Sequence, residues 1–279
     1  MVPMPLPSLW HLSVGGLVVL FFIALCWIGA SSLPRESDVR PSRKLRATLA
    51  TVAFLLILLC LDGPLNRASE NWLAWHMVSH VLVMFYVPVL LVASGAVSLI
   101  GAALRGRRGV AEASRVLRSV SGFVGRPVVA VLLFNGVMVF WHIPAVFDWQ
   151  MDHSWSSEAL MQPSFIVAGY FFWRLLLNGP GLSPRARSRV QVVSVLATAF
   201  CMLVLAMCLS IGSRAPWYAA PVALHGVAAA LKDQHYAAGV LWVCGDLWAI
   251  PALVLIALRI VEGRGGASTV VDHFTKRGS

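Results

Sequence analysis

Two histidines one helical turn apart are the residues of this chain whose spacing most directly suggests metal chemistry. His76 and His80 are four positions apart in the segment His76-Met77-Val78-Ser79-His80. If this segment is helical, the two residues lie one above the other on the same face. Imidazole is a common ligand of transition metals, so the spacing predicts that both rings can hold one ion.

A second apolar segment offers further ligands to the same site. Asn135, Met138 and His142 are spaced so that they share one face of a helix. His142 ends its segment on the side of the membrane where His76 and His80 begin theirs, so we expect three imidazoles and the Met138 sulfur to meet. The alternative is that these histidines hydrogen-bond between helices or lie among tryptophans at the lipid headgroups.

Other residues toward the same side could support such a site. His153 and His235 lie there, and Asp246 shares a helical stripe with His235, roughly 15 Å of helix rise below the outer end. A carboxylate at that depth could accept a hydrogen bond from a ligand histidine, carry a proton, or bond to a neighbouring helix. Sulfur ligands suit copper(I), but packing is the commoner role of such side chains. Those toward this side are Cys60, Met77, Met138, Met207, Cys208 and Cys244.

The elements that must position these residues are membrane-spanning helices. The chain is 58% hydrophobic and 12% charged, and its mean hydropathy of +0.77 is typical of several apolar spans. A helix needs roughly 20 apolar residues to cross the hydrocarbon core. We therefore expect an all-α integral membrane protein, a bundle of about seven transmembrane helices. The seven segments near that length are residues 9–30, 45–61, 72–104, 128–143, 160–177, 190–211 and 236–260.

The basic residues predict the orientation of this bundle. Loops rich in lysine and arginine are retained in the cytoplasm, and all but three of the 22 basic residues fall in one set of alternate loops. The exceptions are Arg67, Arg214 and Lys232. We therefore expect the N-terminus outside and the C-terminus in the cytoplasm. In this orientation His273 is the one histidine of the eight that lies inside.

The domain organisation is expected to be simple. Residues 1–260 form one helical membrane domain, and residues 261–279, rich in glycine, serine and charge, form a mobile cytoplasmic tail. No basic residue precedes the first apolar segment, so we expect it to be retained as a span and not cleaved as a signal peptide. All five cysteines lie in apolar segments, which argues against a disulfide scaffold. The net charge of +10 belongs to the loops, so we expect the bilayer and no nucleic acid as a partner.

The order of several short motifs resembles one protein family. Trp75-His76-Met77 and His80 lead into Tyr86-Val87-Pro88-Val89-Leu90-Leu91, and Trp141-His142-Ile143-Pro144 ends the next span. Gly169-Tyr170-Phe171-Phe172-Trp173 follows, and Asp233-Gln234 precedes Trp242 and Gly245. Together these motifs are similar to the CtaG family of caa3-type cytochrome c oxidase assembly factors.

This resemblance implies a seven-span protein of the bacterial plasma membrane that is needed to make active haem-copper oxidase. It implies copper handling on the outer side, with oxidase subunits or other oxidase assembly proteins as partners. The functional residues carried over are His76, His80, His142, Asp233 and Gln234. The chain also departs from the family pattern, because by an ungapped count Glu158 and Gln162 stand where the family usually carries further histidines.

Three functions therefore remain open from the sequence. The first is a binding protein, not an enzyme, whose outer histidines hold copper transiently for an oxidase subunit. The second is a membrane haem protein or redox enzyme, in which histidines on facing spans bind iron from opposite sides. The third is a copper transporter or another seven-span carrier, although we find no clear internal repeat of the kind common in transporters.

Overall fold

The described part of the chain is a helical bundle. The computed structural model describes residues 13–33, 42–105, 121–178, 184–211 and 214–263, and these residues form helices with no β-strand. Six of the described helices are long and apolar enough to cross a membrane, and a bent pair of helices makes a seventh candidate. The predicted fold class, an all-α membrane protein of about seven spans, is confirmed. The orientation of the termini stays a prediction.

The twelve helices that we label follow the predicted segments closely, and short helices connect several of them. In chain order they are α1 Val14–Ser32, α2 Arg43–Leu61, α3 Pro64–Asn71, α4 Leu73–Val81, α5 Val87–Ser94, α6 Ala96–Ala103, α7 Pro127–His142, α8 Pro144–Asp152, α9 Gln162–Asn178, α10 Pro184–Ser210, α11 Ala219–His225 and α12 Val227–Gly263. A π-helical turn at Leu82–Tyr86 joins α4 to α5, and another at Ser157–Met161 precedes α9.

The third span is continuous across Pro88. Helix α4, the π-helical turn and α5 form one apolar span over Leu73–Ser94. Pro88 lacks an amide hydrogen, and it lies in the first turn of α5, directly after the π-helical turn Leu82–Tyr86. Gly95 then adopts a left-handed backbone conformation with φ 63° and ends the helix. The histidines of α4 therefore lie near the start of a span that continues through the bundle.

The end of α7 is set by a proline. Ile143 precedes Pro144 and is extended, with φ −64° and ψ 126°, as expected for a residue before proline. The chain bends by 69° at this point, and α8 leads away from α7. His142 is consequently the last residue of α7, which places its ring at the same end of the bundle as the start of α4. We call this the histidine end.

The opposite end of the bundle is held by arginines that bind helix carbonyls. The Arg46 guanidinium donates to the Ser94 carbonyl at the end of α5 over 2.8 Å. Arg259 of α12 donates to the Leu177 carbonyl near the end of α9 over 2.6 Å. Cations are favourable near helix C-termini, where backbone carbonyls lack helical partners. These contacts join separate helices at the end of the bundle that carries most of the positive charge.

One close helix contact depends on a glycine. A Cβ atom added to Gly169 of α9 would lie 2.4 Å from the Met84 carbonyl oxygen and 2.6 Å from Pro88 Cγ. Only glycine allows this approach between α9 and the third span. The contact fixes the position of the helix that carries His76 and His80 against α9.

Candidate functional site

The structure brings His76, His80 and His142 together in the interior of the histidine end. The ring centres of His76 and His80 lie 4.4 Å apart, and those of His80 and His142 lie 5.2 Å apart. All three residues are at least 95% buried. We refer to these three rings as the histidine cluster. The predicted meeting of two helices through these residues is therefore observed, and what the cluster binds is a separate question.

The hydrogen bonds of two rings indicate which nitrogen is free to bind a ligand. His142 Nδ1 lies 2.6 Å from the Met138 carbonyl oxygen, and His76 Nδ1 lies 3.4 Å from the Ser69 carbonyl oxygen. A carbonyl oxygen only accepts hydrogen bonds, so Nδ1 carries the proton in both rings. The lone pair is then on Nε2. A metal-binding histidine is commonly held in this way, with its other nitrogen donating to a backbone carbonyl.

Several nitrogens of the cluster have no hydrogen-bond partner. His76 Nε2 and both ring nitrogens of His80 are buried without one. His142 Nε2 faces the sulfur of Met77 at 3.3 Å. Leaving a buried polar atom unpaired costs about 1–3 kcal/mol, so each such atom requires an explanation. A ligand that accepts electron pairs from nitrogen and sulfur would supply one.

Aromatic side chains enclose the cluster. Phe147 packs against the His76 ring and Phe165 against the His80 ring, with ring centres 5.1 Å and 4.7 Å apart. The Tyr218 hydroxyl donates to the His142 carbonyl over 3.2 Å. Burial raises the pKa of the Tyr218 phenol, so it remains protonated and able to donate this bond. These side chains limit the access of water to the imidazoles.

The rings pack edge to face and do not converge on one point. Within residues 13–33, 42–105, 121–178, 184–211 and 214–263, no group of three or more histidine, cysteine, aspartate or glutamate side chains is arranged to hold a metal ion. His80 is tilted by 62° to His76 and by 81° to His142. Binding one ion through these nitrogens would require the rings to rotate.

Asp233 lies at the start of α4 and not in the histidine cluster. Its carboxylate accepts hydrogen bonds from the backbone amides of Leu73 at 2.5 Å and Ala74 at 3.3 Å. These are among the first amides of the helix, which lack partners within the helix itself. Asp233 of α12 therefore fixes the start of the helix that carries His76 and His80. The structure gives it a positioning role.

Gln234 also joins elements at the histidine end. Its side-chain oxygen accepts from the Trp217 amide over 2.7 Å, and its side-chain nitrogen donates to the Leu209 carbonyl over 3.0 Å. The residue thus links α12 to the end of α10 and to the segment before α11. It does not contact the three histidines through these bonds.

The remaining predicted site residues lie in different surroundings. His153 is exposed, its Nδ1 bonds to the Trp149 carbonyl over 2.8 Å, and its ring stacks on Trp149. His235 is exposed on α12. Met138 is buried and contributes its backbone carbonyl to His142. Asp246 lies within α12, but its side chain is outside the described part of the structure.

The two positions that depart from the family pattern lie near the cluster without joining it. Gln162 is buried, and its amide nitrogen donates to the Cys60 carbonyl over 3.3 Å, which links α9 to α2. Glu158 is exposed near the start of α9. Neither residue replaces an imidazole in the cluster.

The sequence does not identify Tyr218 or Gln150 as residues of this region. It offers Met77 only as one of several sulfur-containing residues toward this side. Tyr218 and Gln150 reach this region from segments far apart in the chain, and no spacing rule links them to His76. Met77 follows His76 directly, so on a helix it points about 100° away from the histidine face. It therefore faces α7 and meets His142. The role of Met77 thus becomes visible only from its contact with His142 of α7, and not from the motif in which it lies.

Fold and site together define a multi-pass helical membrane protein with buried histidines near one end. The model of one protein family, the cytochrome c oxidase caa3 assembly factors (CtaG), matches residues 17–262. The chain belongs to this family, as the order of its motifs indicates.

The chain is also similar to three uncharacterized mycobacterial proteins. The chain is 28% identical over 252 residues to an uncharacterized protein of Mycobacterium bovis and to one of Mycobacterium tuberculosis, which covers 84% of the chain and 36% of each relative. An uncharacterized protein of Mycobacterium leprae is 28% identical over 199 residues, or 66% of the chain and 29% of the relative. The chain thus spans about a third of the length of these curated relatives. No solved structure matches the chain.

Proposed function

We propose that this protein assists the assembly of haem-copper cytochrome c oxidase by holding copper(I) at the histidine cluster for delivery to an oxidase subunit. Family membership supports the assembly role. The observation that carries the copper role is the set of buried, unpartnered nitrogens on His76 and His80. The protein would act at the outer face of the bacterial plasma membrane as a binding protein and not as an enzyme.

The donor set favours copper(I) over harder ions. The cluster contains three neutral imidazoles, and the Met77 sulfur lies 3.3 Å from His142 Nε2. Imidazole and thioether ligands suit copper(I), whereas magnesium and calcium prefer oxygen ligands. No carboxylate lies among the three rings in the described residues, so a bound monovalent cation would keep its full charge. The coordination shell of the ion would therefore lack a negatively charged ligand, which is compatible with transient binding.

The core below the cluster favours binding from one side over transport. Phe85, Phe134, Phe172 and Trp248 pack against one another, with ring centres 4.3–5.8 Å apart, in the middle of the bundle. This aromatic layer offers no ligand atoms to an ion that leaves the cluster toward the arginine-rich end. An ion would therefore return to the histidine end, where a partner subunit could receive it.

The arrangement of the rings does not favour haem. Axial haem ligands bind iron from opposite faces of a flat macrocycle. His80 and His142 instead contact each other edge to face, and Met77 lies against His142. A haem between these two rings would require the two helices to separate.

Titration of the detergent-purified protein with copper(I), in competition with a chromogenic chelator, tests this proposal. We expect one ion per protein, which a sufficiently strong chelator removes. The pair His76→Ala and His80→Ala should weaken binding at least about 100-fold, because loss of supporting hydrogen bonds alone typically costs about 10- to 100-fold. The matched control is His153→Ala with His235→Ala, which removes two exposed histidines and should leave binding unchanged. Absence of copper binding by folded wild-type protein, or equal loss in both double variants, would contradict the proposal.

A further inference from the structure

A polar cleft at the histidine end reaches the cluster from outside. Its volume is about 470 Å³, and its lining includes His76, Gln150, Glu70, Asp152 and Glu158. Liquid water occupies about 30 Å³ per molecule, so the cleft has room for a hydrated ion. His76 lines this cleft and also contacts His80, which makes it the member of the histidine cluster nearest to the opening.

Two buried side chains that line the cleft have unpartnered atoms. His76 is 5% exposed and Gln150 is 4% exposed. His76 Nε2 and Gln150 Oε1 both lack a hydrogen-bond partner. One carries a lone pair on nitrogen and the other a lone pair on an amide oxygen, so both atoms suit a cation or a hydrogen-bond donor.

The mouth of the cleft is negatively charged. Glu70, Asp152 and Glu158 line it and are exposed, and none of the described lining residues is a lysine or arginine. A cleft lined by charges of one sign raises the local concentration of ions of the opposite sign. The mouth of this cleft therefore attracts cations although the whole chain carries a net charge of +10.

We infer that the cleft is the access route by which a metal cation reaches the histidine cluster. The carboxylates at the mouth attract the hydrated ion, Gln150 Oε1 replaces part of its water, and His76 Nε2 receives it. Hard carboxylate oxygens bind a soft ion such as copper(I) weakly, so they draw it in without holding it. The inference rests on the proposed function for the identity of the ion, and the charge of the cleft can be tested without any metal.

A cysteine placed in the cleft tests its charge directly. Ser157 lines the cleft and is partly exposed, so Ser157→Cys changes one atom and adds a thiol there. The probes are the cationic aminoethyl and the anionic sulfonatoethyl methanethiosulfonates, with protein that retains Ser157 as the background for the native cysteines. At 0.15 M salt we expect the cationic reagent to react on the order of tenfold faster, after correction for its rate on a free thiol.

Charge-neutral variants show whether the three carboxylates cause this preference. Combining Glu70→Gln, Asp152→Asn and Glu158→Gln in the Ser157→Cys protein should bring the two corrected rates close to each other. The control Lys232→Gln removes a charge at the histidine end away from the cleft and should leave the preference unchanged. Equal corrected rates before neutralisation, or a preference that survives it, would overturn the inference.

Copper loading separates this inference from the proposed function. The triple carboxylate variant, with Ser157 retained, should take up copper(I) several-fold more slowly and still bind it with wild-type affinity at the histidine cluster. Charge-selective labelling in a protein that binds no copper would overturn the proposed function and support a cation cleft. Copper binding with an unchanged loading rate in the triple variant would overturn the access route and support the proposed function.

Discussion

At the scale of single residues, the arrangement of hydrogen bonds around the imidazoles decides what the cluster can do. His142 is held by the Met138 carbonyl, so its Nε2 lone pair is directed toward Met77. A hydrogen bond of this kind leaves the Nε2 lone pair available to a metal, although the rings must still rotate before they can share one ion. Within the described residues, Met77 is the side chain whose sulfur contacts an imidazole nitrogen of the cluster.

Replacing Met77 tests this contribution. Met77→Leu keeps the volume of the side chain and removes the sulfur, so we expect little change in thermal stability and about tenfold weaker binding of copper(I). The matched control is Met84→Leu, which alters a buried methionine of the same span that packs outside the histidine cluster. Competition titration measures both affinities. Equal affinities of the two variants would show that the Met77 sulfur does not take part.

At the scale of helices, the cap on α4 links a distant residue to the histidine cluster. Asp233 lies on α12, yet it bonds the first amides of α4. Loss of such a cap costs about 1–2 kcal/mol, and asparagine, which has one acceptor oxygen, can still accept from one of the two amides. The function of this residue should therefore depend on its oxygen acceptor and not on its negative charge.

Two substitutions at this position separate the two roles. Asp233→Ala should lower the thermal midpoint in detergent and weaken copper binding, because the start of α4 loses its partner. Asp233→Asn keeps one of the two acceptor oxygens, so both properties should fall between those of Asp233→Ala and those of the wild-type protein. A direct role of the negative charge in holding the ion would instead make both variants weak binders with wild-type thermal midpoints, and that result would exclude the capping account.

The close approach of α9 to the third span can also be tested with a matched pair of glycines. In Gly169→Ala the new Cβ would meet the Met84 carbonyl oxygen, so we expect a loss of about 1–3 kcal/mol, seen as a lower thermal midpoint. Gly136→Ala of α7 has open space around the new atom and should be neutral or slightly stabilising. A lower midpoint for Gly136→Ala than for Gly169→Ala would contradict this view of the packing.

At the scale of the whole molecule, the separation of charge between the two ends is the basis of the predicted orientation. Arginines such as Arg46 and Arg259 bind helix carbonyls at one end, and the cleft with its carboxylates opens at the other. The rule that positive loops stay in the cytoplasm places the histidine end outside. The histidine cluster would then lie on the outer side of the membrane, where the proposed delivery of copper to an oxidase subunit takes place.

Labelling with a membrane-impermeant thiol reagent tests the orientation. In intact cells we expect Lys232→Cys at the histidine end to react, and Arg105→Cys at the opposite end to react only after the membrane is opened. The protein without added cysteines gives the background. Reaction of Arg105→Cys but not of Lys232→Cys in intact cells would reverse the orientation.

Much of the fold could be predicted from the sequence, because each span must satisfy its backbone within itself and needs a long apolar segment. The meeting of His76, His80 and His142 also followed from local rules, since one pair is four residues apart and Pro144 ends α7 just after His142. The parts that could not be predicted depend on contacts between helices. The partner of Asp233 lies 160 residues away, and the residues of the cleft come from segments with no shared pattern.

The most direct test of the central claim is copper X-ray absorption spectroscopy of the purified protein loaded with one equivalent of copper(I). The account predicts a spectrum with imidazole scattering from at least two histidines and a sulfur neighbour that disappears in Met77→Leu. A spectrum without imidazole scattering would contradict the account. So would an unchanged spectrum of the double variant His76→Ala with His80→Ala.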